Sequence, residues 1–404
     1  MNSFKPLLPS DSLRISDLVI ALSSALDFAD IRVLDHSRRV AYISLKLGTQ
    51  LGMELEEINK MVLAALLHDI GISSTSFKLE AQSKLLPEGD LLYKHCNLGY
   101  KLLKDVSSFD GIAQLVYSHH DHYSGDNPSR LSGEDIPLGS RVIHLADRVE
   151  TLIDKDSYIL NQREDILEQL GEYSGRIFDA NLFAELELLA VKESFWLNLS
   201  TGSFKDELRE WGEGTKKKIA LSEIEEVAGL FASIIDMKSP FTSRHSTGVA
   251  AIAAMIAGEM GIDLQGQQAL RIAGLLHDLG KQTIPDHILE KPARLTPREM
   301  NVIKQHPFQT YNLLLSVKGL RGIKDWASYH HERLDGSGYP FHLQARDLDL
   351  GCRIVIVSDV FQAMTEIRPY RQALPVASVM DILRQEAGEG KLDAEVIDAL
   401  SECL

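Results

Sequence analysis

Cysteine is scarce. Only Cys96, Cys352 and Cys403 occur in 404 residues, with no CxxC spacing, which excludes a disulfide framework and suggests no thiolate zinc site. Any metal is therefore expected to be held through nitrogen and oxygen. Cationic residues are also short, 42 Lys and Arg against 58 Asp and Glu, for a net charge of −16. A surface of that sign repels polynucleotides and anionic membranes, so a phosphorylated ligand would need a local cluster of cations or metal. No window approaches the roughly 18 continuous apolar residues that span a bilayer. The opening stretch MNSFKPLLPSDSLRISD has no basic-then-apolar secretory pattern. A cytoplasmic location without membrane insertion is expected.

Strand-like runs punctuated by Gly and Pro are scarce as well. Most of the chain carries apolar residues at helical spacing, as in VAYISLKLGTQLGM (40–53) and VAAIAAMIAGEMGI (249–262), each with a Gly near its end where a helix C-cap belongs. RIVIVSDVF (353–361) is apolar enough for a strand, but its companion RVIHLADRVETL (141–152) favours buried helices for both. The expected fold is all-α. The length exceeds what one core usually holds, and the stretch 196–222, which mixes Gly, Ser and charge, reads as a connection. Its KKK (216–218) reads as a solvated helix face. The expected domains are residues 1–200 and 201–404.

What the sequence has is histidine, written twice. His36 and His68-Asp69 recur 209 residues later as His245 and His277-Asp278. His95 and His119-His120 recur at an offset of 211 as His306 and His330-His331, and Asp147 recurs at 212 as Asp359. FDAN (178–181) is echoed by LDAE (392–395). Ten of the 14 histidines fall in these pairs, leaving His122, His144, His287 and His342. One histidine on an apolar helix is ordinarily a core residue; two matching series imply a duplicated domain.

Imidazole and carboxylate together suit first-row metals such as iron, manganese, zinc or nickel, whereas calcium and magnesium prefer oxygen shells. Seven candidate ligands per copy exceed the shell of one ion, and two ions sharing a bridging carboxylate would use them all. Neighbours on a helix point about 100° apart, so His277-Asp278 and His330-His331 reach one cluster only where a helix ends, bends or meets it obliquely. DGSGYP (335–340) offers such an ending, through Gly336 and Gly338, which tolerate positive φ, and Pro340.

FTSRHS (241–246), LLHDLGKQTIP (275–285), KQHP (304–307), HHERLDGSGYP (330–340) and SDVFQAMTEIRPYR (358–371) together resemble the HD-GYP domain, the bacterial branch of the HD phosphohydrolases. The resemblance covers roughly residues 220–400. It implies a helical fold, a two- or three-metal centre of iron or manganese with nickel and zinc as alternatives, and hydrolysis of cyclic dinucleotides, chiefly cyclic di-GMP to linear pGpG or GMP. By resemblance Asp278 bridges two ions, His245, His277 and Asp359 complete one site, and His306, His330 and His331 the other. Members with a third metal carry a glutamate where this chain has Phe241, so two ions are expected. Hydroxide held by paired metals is the expected nucleophile. Lys281, Arg368 and Arg371 match phosphate-binding positions, and Asp278 and Lys281 are the expected catalytic pair. Glu332 and Asp335 are candidates for orienting an imidazole N–H or capping the turn, and Tyr339 for lining the pocket or packing the turn.

The first copy keeps its ligands, His36, His68, Asp69, His95, His119, His120 and Asp147, as a vestigial metal set. Its substrate positions have changed: Ile72, Asp156 and Ile159 stand where the second copy has Lys281, Arg368 and Arg371, and the turn reads HHDHYSGDNPS (119–129). The first domain is expected not to turn over substrate, and to serve as a regulatory or dimerising partner. Alternatives are a phosphodiesterase for the mixed 3′3′-cyclic GMP-AMP, which some tandem members prefer, a deoxynucleoside triphosphate phosphohydrolase, which lacks the HHExxDGxGYP block, and a non-catalytic sensor of cyclic dinucleotide or metal.

Overall fold

In a computed structural model, residues 13–27, 34–72, 90–215, 219–238, 245–317, 319–367 and 372–404 are described. Among them the secondary structure is helical, with isolated β-bridges such as Ser174–Phe178 and Asp335–Gln344. The 353–361 and 141–152 segments are both helix, as expected. No described helix is long and apolar enough to cross a membrane. The chain forms two compact units, one of residues 16–217 and one of 218–404 with 1–15.

The first unit holds α1 (Ile15–Asp27), α2 (His36–Gln50), α3 (Leu55–Leu67), α4 (Asp90–Leu103), α5 (Ile112–Tyr117) and α6 (Leu138–Thr151). Four further helices follow between Arg163 and Gly214. The second unit repeats the plan with α7 (Leu221–Lys238), α8 (His245–Glu259), α9 (Leu264–Leu276), α10 (His306–Leu315), α11 (Arg321–Ser328) and α12 (Leu350–Thr365), and ends in Val376–Gly388 and Ala394–Cys403.

The duplication extends to how these helices are held. Gly52, φ 67°, follows the end of α2, and Gly261, φ 73°, follows the end of α8. In each, the next amide reaches back five residues, Met53 N to the Gly48 carbonyl at 3.1 Å and Ile262 N to the Ala257 carbonyl at 2.9 Å, which satisfies carbonyls the helix leaves unpaired. Asp27 accepts from Ser37 Oγ and Asp236 from Ser246 Oγ, pinning the start of the first ligand-bearing helix to the helix before it. The FDAN and LDAE echoes are matching caps. Asp179 and Asp393 each accept a backbone N–H at a helix start, worth about 1 kcal/mol, and each pairs with an arginine on the helix that carries the last metal-type aspartate, Arg141 on α6 and Arg353 on α12.

The 196–222 stretch differs from the connection expected of it. Glu193–Thr201 and Phe204–Gly214 are helices of the first unit, and Trp196 and Phe204 are buried there. Most of the Ser and charged residues lie on exposed faces and Gly202 caps the first of these helices, while Gly212 is buried, so a stretch with a linker's composition packs as helix. KKK (216–218) lies outside the described residues.

Candidate metal centres

In the second unit α9 stops at Leu276, so His277 is its C-cap and Asp278 already has non-helical backbone (φ −93°, ψ 8°). The two neighbours therefore aim into one space. Gly280 then packs against the start of α10: a Cβ there would lie 2.0 Å from the His306 carbonyl oxygen. Only glycine permits that approach, and it brings His306 to Asp278. Gly71 does the same against His95 in the first unit, with a Cβ distance of 2.1 Å. α11 ends at Ser328, before His330-His331, so the histidine pair sits in the turn itself. The expectation that DGSGYP ends the helix is thus corrected. Gly336 does adopt φ 82°, but Gly338 does not; it is glycine because a Cβ would lie 2.4 Å from Glu332 Cα and Arg333 N.

The seven expected ligands converge. Asp278 divides its oxygens: Oδ2 is 3.2 Å from His277 Nε2 and 3.9 Å from His245 Nε2, while Oδ1 is 3.4 Å from His306 Nε2 and 3.9 Å from His330 Nε2. Asp359 Oδ1 faces His245 at 3.2 Å and its Oδ2 faces His331 Nδ1 at 3.7 Å. Two donor groups thus share one carboxylate.

The tautomers show that this set fits a cation. Nδ1–H of His306 donates to the Ile303 carbonyl at 2.8 Å, and that of His330 to the Ala327 carbonyl at 2.7 Å. A carbonyl only accepts, so in the neutral rings both Nε2 atoms carry lone pairs, yet they lie 3.1 Å apart. No proton is available to join them. A bound ion with metal–nitrogen bonds of about 2.1 Å would place two such nitrogens roughly 3.0–3.4 Å apart. His277 Nδ1 donates to the Gly274 carbonyl in the same way, and its buried Nε2 makes no hydrogen bond.

Charge is arranged to match. Burial presses the His306 imidazole down to about 3 and drives His330 well below its usual value, which leaves neutral donors. Burial opposes the ionisation of Asp278, but His277 and Lys281 hold its carboxyl well below the usual range. His245 is the exception: burial opposes its charge, yet hydrogen bonds with Asp359 and Glu366 lift it to about 9, so a cation bound there would displace its proton. Lys281 Nζ donates to Asp278 Oδ2. His331 alone of the set stays open, with 31% of its side-chain surface exposed, and the Tyr339 ring lies 4.8 Å from it.

The first unit repeats the skeleton. His36 and His68 face each other at 3.2 Å through Nε2, and His95 and His119 at 3.3 Å. Asp69 lies 3.4 Å from His68 and 3.7 Å from both His36 and His95. Asp147 Oδ1 is 3.3 Å from His36. Its other oxygen is taken by Arg148, whose Nε lies 3.1 Å away and whose guanidinium is buried. His120 is only 3% exposed and packs edge-on to His144, a ring the histidine pairing left over.

Two expectations are corrected. Glu332 is buried but accepts from the Phe341 and Leu343 amides at 2.8 and 2.9 Å; it folds the segment after GYP and touches no imidazole N–H. Asp335 is exposed and caps Ser337. Both follow the histidine pair in sequence, but the turn points them away from it. The carboxylates that orient imidazoles are ones sequence reasoning missed: Glu366 at 3.1 Å from His245 Nδ1, and Glu150 at 2.5 Å from His36 Nδ1. Their signal was helical phase, Glu150 lying one turn after Asp147. Arg368, Arg371 and Phe241 lie outside the described residues, whereas Ile72, Asp156 and Ile159 are described and bring no cation.

The sequence profile of the HD domain family matches residues 21–182 and 229–396. The chain is 30% identical over 401 residues to the 3′3′-cGAMP-specific phosphodiesterase 1 of Vibrio cholerae serotype O1, covering 96% of this chain and 91% of that protein. It is 33% identical over 214 residues to the cyclic di-GMP phosphodiesterase response regulator RpfG of Xanthomonas campestris, covering 48% of this chain and 55% of that one. The crystal structure of V-cGAP3, a cyclic GMP-AMP specific phosphodiesterase of V. cholerae, superposes with a TM-score of 0.69 at 25% identity, covering 97% of this chain and 98% of that one.

Proposed function

The chain belongs to the HD domain family, and from that premise we propose that its second copy hydrolyses a cyclic dinucleotide, preferring the mixed 3′3′-cyclic GMP-AMP. One observation carries the reading: the locked His306 and His330 nitrogens, 3.1 Å apart beside an aspartate that faces both halves of the ligand set, with His331 open. Sequence motifs alone made cyclic di-GMP the default substrate. Relatives that match from end to end are named for the mixed dinucleotide, whereas RpfG, named for cyclic di-GMP, matches about half of this chain, and this moves the weight.

His245, His277, Asp278 and Asp359 would hold one divalent ion, and His306, His330, His331 and Asp278 a second; iron or manganese suits this shell of imidazole and carboxylate. When bound, paired ions make water nucleophilic at neutral pH and neutralise charge on the phosphate. The residues do the rest. Glu366 fixes the His245 ring, and the carbonyls of residues 274, 303 and 327 fix three more rings. Lys281, at Asp278, is placed to bind a non-bridging phosphate oxygen, with Arg368 and Arg371 assigned the far side by resemblance. The exposed edge of His331 marks the side from which substrate enters. Water adds to phosphorus, the bond to the 3′ oxygen breaks, and that oxygen takes up a proton, giving a linear dinucleotide.

The labour divides between the two units, whose boundary lies near residue 217 and not at the expected 200. The second unit is catalytic, and the first, with Ile72 in place of Lys281, is regulatory or dimerising. Competition between equal amounts of the two cyclic dinucleotides tests the substrate. The mixed one is expected to disappear first, and faster loss of cyclic di-GMP would reverse the assignment.

A further inference from the structure

The first copy differs from the second at two places inside its ligand set, and the differences compensate. Where the second copy has Pro307, which offers no donor, the first has Cys96. Where the second has Val360, the first has Arg148, buried against Asp147 Oδ2. In the second copy the corresponding oxygen, on Asp359, faces His331. The first copy has thus surrendered a carboxylate donor to an internal cation and gained a thiol beside the same histidines.

Cys96 Sγ lies 3.7 Å from His95 Nε2 and 3.6 Å from His119 Nδ1, and donates to the Leu92 carbonyl at 3.3 Å. His95 and His119 face each other at 3.3 Å through Nε2. One donor atom from each of His95, Cys96, His119 and His120 can be chosen so that all lie within 4.8 Å of one another, and all four residues are buried. Tetrahedral zinc, with bonds of about 2.0–2.1 Å to nitrogen and about 2.3 Å to sulfur, has N···N edges of roughly 3.3 Å and N···S edges of roughly 3.6 Å. His119 Nδ1 donates to the Val116 carbonyl at 2.6 Å, which leaves Nε2 as its donor, and the His95–His119 Nε2 pair at 3.3 Å and the Cys96 Sγ–His95 Nε2 pair at 3.7 Å already approach these edges. Nearby Asp69 Oδ1 stands closer to His68, at 3.4 Å, than to His95, at 3.7 Å.

We propose that the first copy holds one zinc-type ion in a closed site built from His95, Cys96, His119 and His120, and that this ion is structural. Four protein donors leave no position for water, which distinguishes a structural from a catalytic site, and the thiol selects a softer ion than the imidazole and carboxylate shell of the second copy. Binding releases the thiol proton to solvent. The burial of His120, against the open His331, fits a site that nothing needs to enter.

The test uses the full-length protein loaded with cobalt(II), whose thiolate complexes absorb by charge transfer in the near ultraviolet. In a C352S/C403S variant Cys96 is the sole remaining thiol, so the absorption is expected there. In a C96S variant it is expected to vanish, with zinc content by mass spectrometry falling by one ion per chain. Absence of the band from C352S/C403S, or its persistence in C96S, overturns the proposal. If C96S does not fold, the spectrum of C352S/C403S decides alone. Hydrolysis by the second copy is not part of the readout.

Discussion

The two copies share a ligand skeleton and a set of helix locks, but one site is open and the other sealed. His331 exposes 31% of its side-chain surface, whereas His120 is 3% exposed beneath His144. Lys281 reaches the shared aspartate in the second copy, and Ile72 stands at its position in the first. Asp359 turns an oxygen toward a histidine; Asp147 turns it toward Arg148. On the proposed reading, holding a cation and acting on an anion are separable properties of one fold. The first needs converging imidazoles with fixed tautomers, the second an open edge and a spare positive charge.

The largest expected effect breaks the comparison outright. A H277A/D278A variant should lose at least about 10³-fold in turnover, because it removes donors from both halves of the set. A smaller change sharpens it: K281A should lower kcat/KM roughly 10- to 100-fold, the worth of one charge-assisted contact, while I72K in the first copy should create no turnover, since His120 stays sealed. Next, E366Q should weaken metal binding about 10- to 100-fold by loosening His245. E332Q should leave metal binding unchanged and lower stability by about 1–3 kcal/mol, because Glu332 holds two buried amides; titration with manganese and thermal unfolding separate the two glutamates. The smallest effect belongs to D335A, for which neither metal binding nor melting temperature should change measurably, since that carboxylate caps an exposed turn.

What was legible in the sequence was what repeats. The offset of 209–212 residues exposed the duplication, and helical spacing gave the all-α fold, including the 353–361 helix. The residues that converge were legible as candidate ligands because histidine and aspartate recur in register. What was hidden depends on where a turn points a side chain. Glu332 adjoins the histidine pair in sequence yet faces Phe341 and Leu343. Glu366 lies seven residues from Asp359, two turns along and past the end of α12, and still reaches His245. Cys96 has no partner cysteine and so no CxxC signal; the fold sets it beside its neighbour His95 on α4 and against His119 and His120 from a later turn. Arg148, a charged residue within a helix, is buried against Asp147.

The central claim is that the second copy cuts and the first does not. Turnover of 3′3′-cyclic GMP-AMP with manganese, measured side by side for wild type, H68A/D69A and H277A/D278A after confirming that each is folded, tests it most directly. The account predicts turnover within about threefold of wild type for H68A/D69A, the ordinary effect of a change outside the active site, and none for H277A/D278A. Loss in H68A/D69A with retention in H277A/D278A would contradict it.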